Sequence, residues 1–138
     1  MDPLDDFEEP PKICGIIPVV RVRDILEAIR FYEIQLGFGD AWAVGEPPRY
    51  GGVSAEGLGI IFEQADDPIV PDQDIFSIMV TGVDVYYADL RGMGVEIVRP
   101  LIEHPYGLRD FVIRDNNGYR ISIGEMRVTT LDDEECVL

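Results

Sequence analysis

The sequence predicts an α+β fold made of two tandem βαβββ modules. Three observations support this prediction. A strand-like apolar run followed by a helical pattern occurs twice, three β-like segments follow each helical pattern, and a stretch rich in Pro and Asp separates the two halves. A pattern that recurs within 138 residues indicates one supersecondary unit used twice in a single small domain.

The first module is assigned to residues 12–65. The apolar run ICGIIPVVRV predicts a strand, and Asp24 with Glu27 matches the capping box that begins a helix. Gly37 is placed to end this helix. The segments FGDAWAV, YGGVSAEG and LGIIFEQ predict three further strands. Apolar residues at helical spacing predict the buried face of the helix, namely Ile25, Ile29, Tyr32 and Leu36.

The second module is assigned to residues 75–127 and follows a linker at 66–74 in the stretch ADDPIVPDQD. The run FSIMVTGV predicts its first strand, Asp84 is a second candidate helix cap, and Gly92 with Gly94 predicts the helix end. The segments GVEIVRP, LRDFVIRD and GYRISIG predict the other strands, with the sequence DNNG as the turn of a hairpin.

The two ends of the chain carry much of its acidic charge. Residues 1–11 are predicted to be a flexible acidic segment and residues 128–138 an acidic tail. They hold nine of the 27 acidic residues, which leaves 18 acidic and 11 basic residues in the body of a chain whose net charge is −16. We therefore expect no nucleic acid partner, because such binding depends on Lys and Arg at the phosphates. This balance favours cationic ligands at long range.

The sequence also predicts the compartment. No apolar run reaches the roughly 18 residues of a membrane span, and the acidic start does not resemble a signal peptide. Cys14 and Cys136 lie far apart, so we expect no structural disulfide, and Cys14 is predicted to be a small core residue on the first strand. We therefore expect a cytoplasmic protein with no membrane partner.

The ordered motifs resemble one known superfamily. The run PVVRVRD…AIRFYEIQLGF, the segment IVPDQD and the run PYGLRDFVIRDNNGYRISI together look like the vicinal oxygen chelate superfamily. This superfamily includes glyoxalase I, extradiol dioxygenases, and the fosfomycin- and bleomycin-resistance proteins. The resemblance covers about residues 13–126. It implies that the modules form curved, cup-like mixed sheets, which dimers often complete or pair.

The resemblance also implies where a metal would bind, on the first and last strands of each module. Counting back seven residues from the two predicted helix caps gives Ile17 and Ser77. The last strands offer Ser122, where the family pattern has glutamate, and Ile61 by the internal repeat. Isoleucine donates nothing to a metal and serine is a poor ligand beside imidazole or carboxylate. The sequence therefore predicts neither a metal nor another cofactor.

Two other residues could take part in metal or acid–base chemistry. Glu63 lies two positions after Ile61 and is expected on the same strand face. His104 is the only histidine and precedes Pro105 in a predicted loop. One carboxylate and one loop histidine do not make a site of three or four ligands. With no nucleophile elbow, phosphate-binding loop or dinucleotide fingerprint in the chain, the sequence favours binding over catalysis.

Within the superfamily, the chain is most similar to the metal-free bleomycin resistance proteins. Trp42 follows the LGF motif, Tyr50 begins a strand, and Tyr106 replaces the tryptophan of a Pro-Trp-Gly motif. The resemblance implies a homodimer that exchanges its N-terminal strands near Pro18. It further implies a groove of aromatic and acidic residues that sequesters a planar, cationic ligand. The candidate ligand-binding residues are Trp42, Tyr50, Ile61, Glu63, Ser77, Tyr106 and Ser122.

Other interpretations stay open at this point. Trp42 could pack within the sheet instead of facing a ligand, Tyr86 and Tyr87 are expected to pack, and Arg109 with Asp110 is expected to form a structural pair. For function, the alternatives are an enzyme of the same superfamily and a binder of an unrelated small metabolite. The enzyme would be a metal-dependent lyase or dioxygenase using Glu63, or a metal-free isomerase.

Overall fold

The computed structural model describes residues 9–127, which form two four-stranded mixed sheets and two helices. The first module contains β1 (Val19–Val22), α1 (Ile25–Arg30), β2 (Gly39–Val44), β3 (Tyr50–Ala55) and β4 (Leu58–Gln64). The second contains β5 (Asp74–Met79), α2 (Val83–Gly92), β6 (Ile97–Glu103), β7 (Leu108–Arg114) and β8 (Arg120–Met126). The strand orders are β1-β4-β3-β2 and β5-β8-β7-β6, with β1 parallel to β4 and β5 parallel to β8. The predicted α+β fold of two βαβββ modules is confirmed.

The first helix begins and ends as predicted. The Asp24 carboxylate accepts a hydrogen bond of 3.0 Å from the Glu27 amide, which satisfies one of the free N–H groups of the first turn. After Arg30 the helix continues as a π-helical segment, Phe31–Gln35. Gly37 then reverses the chain with a φ of +87°, a conformation that glycine adopts without steric cost. The predicted apolar face is buried.

The second helix corrects one prediction. Asp84 does not cap α2. The N-cap residue is Gly82, which has a φ of +72° and no side chain to accept a capping hydrogen bond. Asp84 lies within the first turn and accepts hydrogen bonds from Arg109 and Arg127, two residues of the distant β7 and β8 region. The two helices therefore begin 58 residues apart, at Ile25 and Val83, and not sixty as their aspartates suggest.

The first strand is shorter than predicted. Strand pairing begins at Val19, which lies opposite Ile61, and residues 11–17 are exposed. Pro18 explains this limit, because its carbonyl accepts the Ile61 amide at 3.0 Å but it has no N–H to continue the ladder. Cys14 is accordingly exposed with a free thiol, so its predicted place in the core is wrong.

The two modules share one hydrophobic core. Residues from both helices and both sheets form a single buried cluster, against which Tyr86 and Tyr87 pack as predicted. Polar contacts join the modules as well. The Tyr32 hydroxyl donates to Asp115 at 2.8 Å, and the Asn116 side chain donates to the Glu27 carbonyl at 2.9 Å. The hairpin turn of the second module is thus attached to α1 of the first.

The pH dependence of stability is expected to report on this attachment. Burial raises the pKa of the Asp115 carboxyl above its ordinary value of 3.8, although hydrogen bonds from Tyr32 and the turn amides oppose the shift. The stability gained from protonated Asp115 is therefore full below pH 3.8 and is lost as pH rises through the higher folded-state pKa. Asp115→Asn keeps the shape without the charge, so its stability relative to the natural protein should rise with pH across that window. Urea unfolding at several pH values measures this difference, and a constant difference would contradict the assignment.

Each helix covers one face of its sheet. In the first sheet, a Cβ atom at Gly51 would lie 2.6 Å from Ile25 Cγ2, so that face is in contact with α1. Neighbouring residues of a strand point to opposite faces, and Gly52 and its cross-strand partners therefore lie on the face away from the helix. We call these helix-free faces the open face of the first sheet and the open face of the second sheet. No helix of residues 9–127 has the length and apolar character needed to cross a membrane.

Candidate functional site

Four of the predicted site residues lie together on the open face of the first sheet. Trp42 pairs with Gly52, which pairs with Ile61, and Tyr50 pairs with Glu63 on the same face. Trp42 is 43% exposed and Tyr50 is 50% exposed. Exposed apolar residues Val19 and Val44 belong to this face too, as their register shows. These residues give the face an apolar and aromatic character, which is common at interaction and ligand sites.

The position of Trp42 depends on a glycine. A Cβ atom at Gly52 would lie 2.5 Å from the Trp42 indole nitrogen and 2.8 Å from its Cε2 atom. The indole therefore lies over the Gly52 backbone, where no larger residue would leave room for it. One side of the ring rests on the sheet while part of its surface stays exposed, which is a suitable arrangement for stacking on a planar molecule.

Glu63 supplies the charge on this face. Its carboxylate lies 3.6 Å from Arg21 Nε, and both side chains are substantially exposed. A cleft of about 580 Å³ adjoins the edge strand β1 at this point and includes both residues. The other lining residues come from β1, the linker and the second module, and include Val19, Ile69, Ile75 and Tyr119. The volume falls within the range of small-molecule sites.

Two predicted site residues lie opposite each other on the open face of the second sheet. Ser77 of β5 pairs with Ser122 of β8 in parallel register. Ser77 is exposed, whereas Ser122 is buried and donates a hydrogen bond of 3.0 Å to Asp110 Oδ2. The two serines therefore differ in accessibility, and only the Ser77 side chain is exposed to a possible ligand.

Asp110 is the centre of a polar network that the sequence did not reveal. Its carboxylate is 5% exposed and accepts hydrogen bonds from Arg99 Nη2 at 2.6 Å and from Ser122, while His104 Nε2 lies 2.8 Å from Oδ1. Burial alone would raise the pKa of the Asp110 carboxyl, but these three hydrogen bonds outweigh it and lower the pKa below its ordinary value of 3.8. The carboxylate is thus held in its charged form.

This network corrects the predicted Arg109–Asp110 pair. Adjacent residues on β7 point to opposite faces, so Asp110 lies on the open face while Arg109 bonds to Asp84 on the helix side. The one available signal was the alternation of side chains along a strand. Asp110 lies two residues before Val112, the partner of Ser122, so Asp110 and Ser122 share a face. Without the strand register, that signal does not identify partners.

Tyr106 lies in the loop between β6 and β7, in the turn closed by the Gly107 amide and the His104 carbonyl. It is 62% exposed. Its ring stacks on the His104 imidazole, with 5.1 Å between ring centroids and 20° between ring planes. One face of Tyr106 is therefore covered by His104, which is itself attached to Asp110.

The donor set does not fit a divalent metal. The strand register makes Val19 and Ile61 the counterparts of Ser77 and Ser122, so the position predicted at Ile17 is wrong by two residues. The count of seven residues reaches Ser77 only because Asp84 lies two residues after the true cap Gly82, so the same count from the true cap Asp24 goes two residues too far. Two aliphatic side chains and two hydroxyls offer no strong ligand for such an ion. Within residues 9–127 no three His, Cys, Asp or Glu side chains come together in a way that could hold one.

The candidate residues form two groups within one chain. Trp42, Tyr50, Ile61 and Glu63 belong to the first sheet, and Ser77 and Ser122 belong to the second, with Tyr106 in a loop beside it. No strand pair joins the two sheets in the part of the chain that the structure describes.

Comparison with known proteins agrees with this fold. The family model of the Glyoxalase/Bleomycin resistance protein/Dioxygenase superfamily matches residues 16–123. Curated protein sequences contain no significant match. Among solved structures, the bleomycin-binding protein of bleomycin-producing Streptomyces verticillus, complexed with copper(II)-bleomycin, is 23% identical with a TM-score of 0.67. The similarity covers 83% of this chain and 97% of that protein.

Two further structures show the same similarity. TioX from Micromonospora sp. ML1 is 20% identical, with a TM-score of 0.66 and coverage of 80% of this chain and 97% of TioX. A superfamily member from Sphaerobacter thermophilus is 22% identical, with a TM-score of 0.70 and coverage of 82% of this chain and 98% of that one. At these identities the similarity establishes the fold.

Proposed function

Because the chain belongs to the glyoxalase/bleomycin resistance protein/dioxygenase superfamily, we propose that it is a metal-free binding protein that sequesters a planar, cationic small molecule in a groove between two copies of the chain. The main support is the open face of the first sheet. It carries a partly exposed tryptophan and tyrosine beside a carboxylate, while the positions that would hold a metal carry Val19, Ile61, Ser77 and Ser122. The similarity in fold to the bleomycin-binding protein of Streptomyces verticillus, whose structure contains copper(II)-bleomycin, supports the same proposal.

Stacking and electrostatics would both contribute to such binding. The rings of Trp42 and Tyr50 can contact a flat ligand at low entropic cost and attract a cation through their faces. Glu63 and the acidic excess of the chain add an attraction that weakens with salt. A bound toxic compound is neutralised without any reaction, so we propose antibiotic resistance by sequestration in the cytoplasm as the biological role.

A homodimer would complete the groove. Strands β1 and β5 are edge strands, and within residues 9–127 no other strand pairs with their outer edges. Exposed edges are usually covered or paired in stable proteins. Pairing them across two copies would bring the open face of one first sheet beside the open face of the partner's second sheet. Tyr106, Ser77 and the Asp110 network would then form the second wall of the groove.

The segment before Pro18 supports strand exchange in this dimer. Ile13 is 93% exposed and Ile16 is 90% exposed, although isoleucine is among the residues most often buried. We propose that this segment crosses to the partner, with Pro18 at the point where it leaves its own subunit. Burial of these two isoleucines would contribute about 3 to 6 kcal/mol per chain to the dimer.

Calorimetric titration with bleomycin tests the proposal. We expect saturable binding by chelator-treated protein, and a loss of affinity of about tenfold for Trp42→Ala and for Tyr106→Ala. Leu26→Ala, a change at an exposed apolar residue of α1, is the matched control and should bind normally. Sedimentation of the natural protein should show a dimer, and sedimentation of a variant that lacks residues 9–17 should show a monomer.

Three outcomes would overturn this proposal. Equal affinity of the Trp42→Ala, Tyr106→Ala and Leu26→Ala proteins would place the ligand elsewhere. One metal ion per chain in protein purified without a chelator, and its absence from the Glu63→Ala protein, would instead support an enzyme of the same superfamily. Competition by chemically unrelated metabolites in place of planar cations would indicate a binder of an unrelated small metabolite.

A further inference from the structure

We propose that His104 is a specificity-determining residue of the ligand groove, and that its protonation lowers the affinity of the groove for planar cations. This inference rests on the proposed function, since it concerns the same groove. It starts from the contact chain described above, in which buried Asp110 holds the imidazole of His104 and the imidazole stacks on Tyr106. The network links a titratable group to a candidate ligand platform.

The geometry leaves Tyr106 with one ring face for a ligand. His104 covers the other face at a centroid distance of 5.1 Å. When the imidazole is protonated, Tyr106 already carries a cation on that covered face. The ring then attracts a second cation less strongly, and the two positive charges repel each other across it. A neutral planar ligand would not experience this repulsion.

The charged groups around His104 set the local balance. Asp110 from β7 and Arg99 from β6 form an ion pair at 2.6 Å, which cancels their charges as seen from the groove. Ser122 from β8 and Tyr106 in the loop are uncharged neighbours. The neighbouring ion pair of Arg109 with Asp84 lies on the helix side of the sheet. Protonation of His104 therefore adds one uncompensated positive charge beside Tyr106.

The imidazole has access to protons and is held in place. The side chain of His104 is 25% exposed, and Nε2 is occupied by Asp110. Among the described residues, Nδ1 makes no hydrogen bond to any other group. Histidine is the side chain that ordinarily changes charge between about pH 5 and pH 8. Protonation of this imidazole would thus change the charge beside Tyr106.

The sole histidine of the chain makes the first half of the test direct. In untagged protein without ligand, the imidazole Hε1 resonance of His104 is followed by NMR as pH is varied. The Tyr106 ring resonances, assigned by comparison with Tyr106→Leu, should shift with the same midpoint. They should not shift in His104→Phe, which keeps an aromatic stack without a charge. Tyr106 resonances that stay constant while His104 titrates would overturn the inference.

The second half uses ethidium, a planar cation whose charge does not change in this pH range. We expect its affinity to fall about three- to tenfold as His104 becomes protonated, and to be independent of pH in His104→Phe. His104→Gln serves as a second uncharged variant if the phenylalanine protein folds poorly. Arg109→Gln, which breaks the neighbouring ion pair on the helix side, should keep the pH dependence of the natural protein.

The possible failures are distinguishable. Binding of ethidium with the same affinity at every pH would overturn the proton linkage and leave the proposed function intact. Absence of ethidium binding at any pH would overturn the planar-cation function together with its linkage. A pH dependence that survives in both His104 variants would assign the effect to another group and overturn the role of His104.

Discussion

Asp110→Ala is expected to lower the free energy of unfolding by about 3 kcal/mol. The substitution removes the carboxylate of a largely buried ion pair, to which Arg99, His104 and Ser122 are hydrogen-bonded. The buried Ser122 hydroxyl would lose its acceptor, and the partly buried Arg99 guanidinium would lose its counter-ion while keeping its bonds to the backbone carbonyls of Pro100 and Asp110. Urea unfolding at neutral pH measures the loss. Asp84→Ala is the matched control, since Asp84 also accepts hydrogen bonds from two arginines but does so at the surface.

The comparison of these two variants decides whether burial matters. Exposed ion pairs contribute little to stability, so the Asp84 variant should lose far less than the Asp110 variant. The pH dependence provides a second readout. The pKa of Asp110 is lowered, so its contribution is present above pH 3.8 and is lost as pH falls through the lower folded-state pKa. Equal losses for the two variants, or an Asp110 effect unchanged in acid, would contradict this account.

Gly51→Ala is expected to cost about 2 kcal/mol of stability, because the added methyl group has no space. Its Cβ atom would lie 2.6 Å from Ile25 Cγ2 and 2.9 Å from the Trp42 carbonyl oxygen, which is backbone and cannot rotate away. The contact surface between β3 and α1 would have to separate. Thermal or urea unfolding of the purified variant gives the magnitude.

Gly59→Ala is the control for the same sheet. A Cβ atom at Gly59 would meet only the Val53 carbonyl oxygen, at an ordinary distance of 3.6 Å. This variant should be neutral or gain up to about 1 kcal/mol, since alanine restricts the unfolded chain. A Gly51 variant as stable as the Gly59 variant would show that α1 does not pack on β3 as described.

The elements were predictable from sequence because their signals are local. Hydrophobic periodicity, the Asp24 cap and the DNNG turn each depend on residues near in the chain. The strands follow the predicted segments within a few residues, except that the first strand begins at Val19, six residues later than predicted. The second helix start was not predictable in this way. Asp84 has the identity of a cap, but Arg109 and Arg127 compete for its carboxylate from more than 20 residues away.

The candidate site was predictable only in part for the same reason. Alternation along strands places Ile61 and Glu63 on one face, and the resemblance contributed Trp42 and Tyr106. The Asp110 network required the register of three strands, which no local pattern encodes. The exposure of Cys14 likewise depends on the missing N–H of Pro18 in one particular ladder.

The attachment of the DNNG turn to α1 has a consequence for how this chain could have arisen and how it unfolds. The turn belongs to the second repeat, yet its Asp115 and Asn116 side chains satisfy Tyr32 and Glu27 of the first. Side chains of each repeat therefore find hydrogen-bond partners in the other, and the apolar residues of both form one cluster. A duplicated unit of this kind is no longer two copies of an autonomous domain. We therefore expect the two halves to unfold as one cooperative unit, so that a destabilising substitution in one repeat lowers the stability of both.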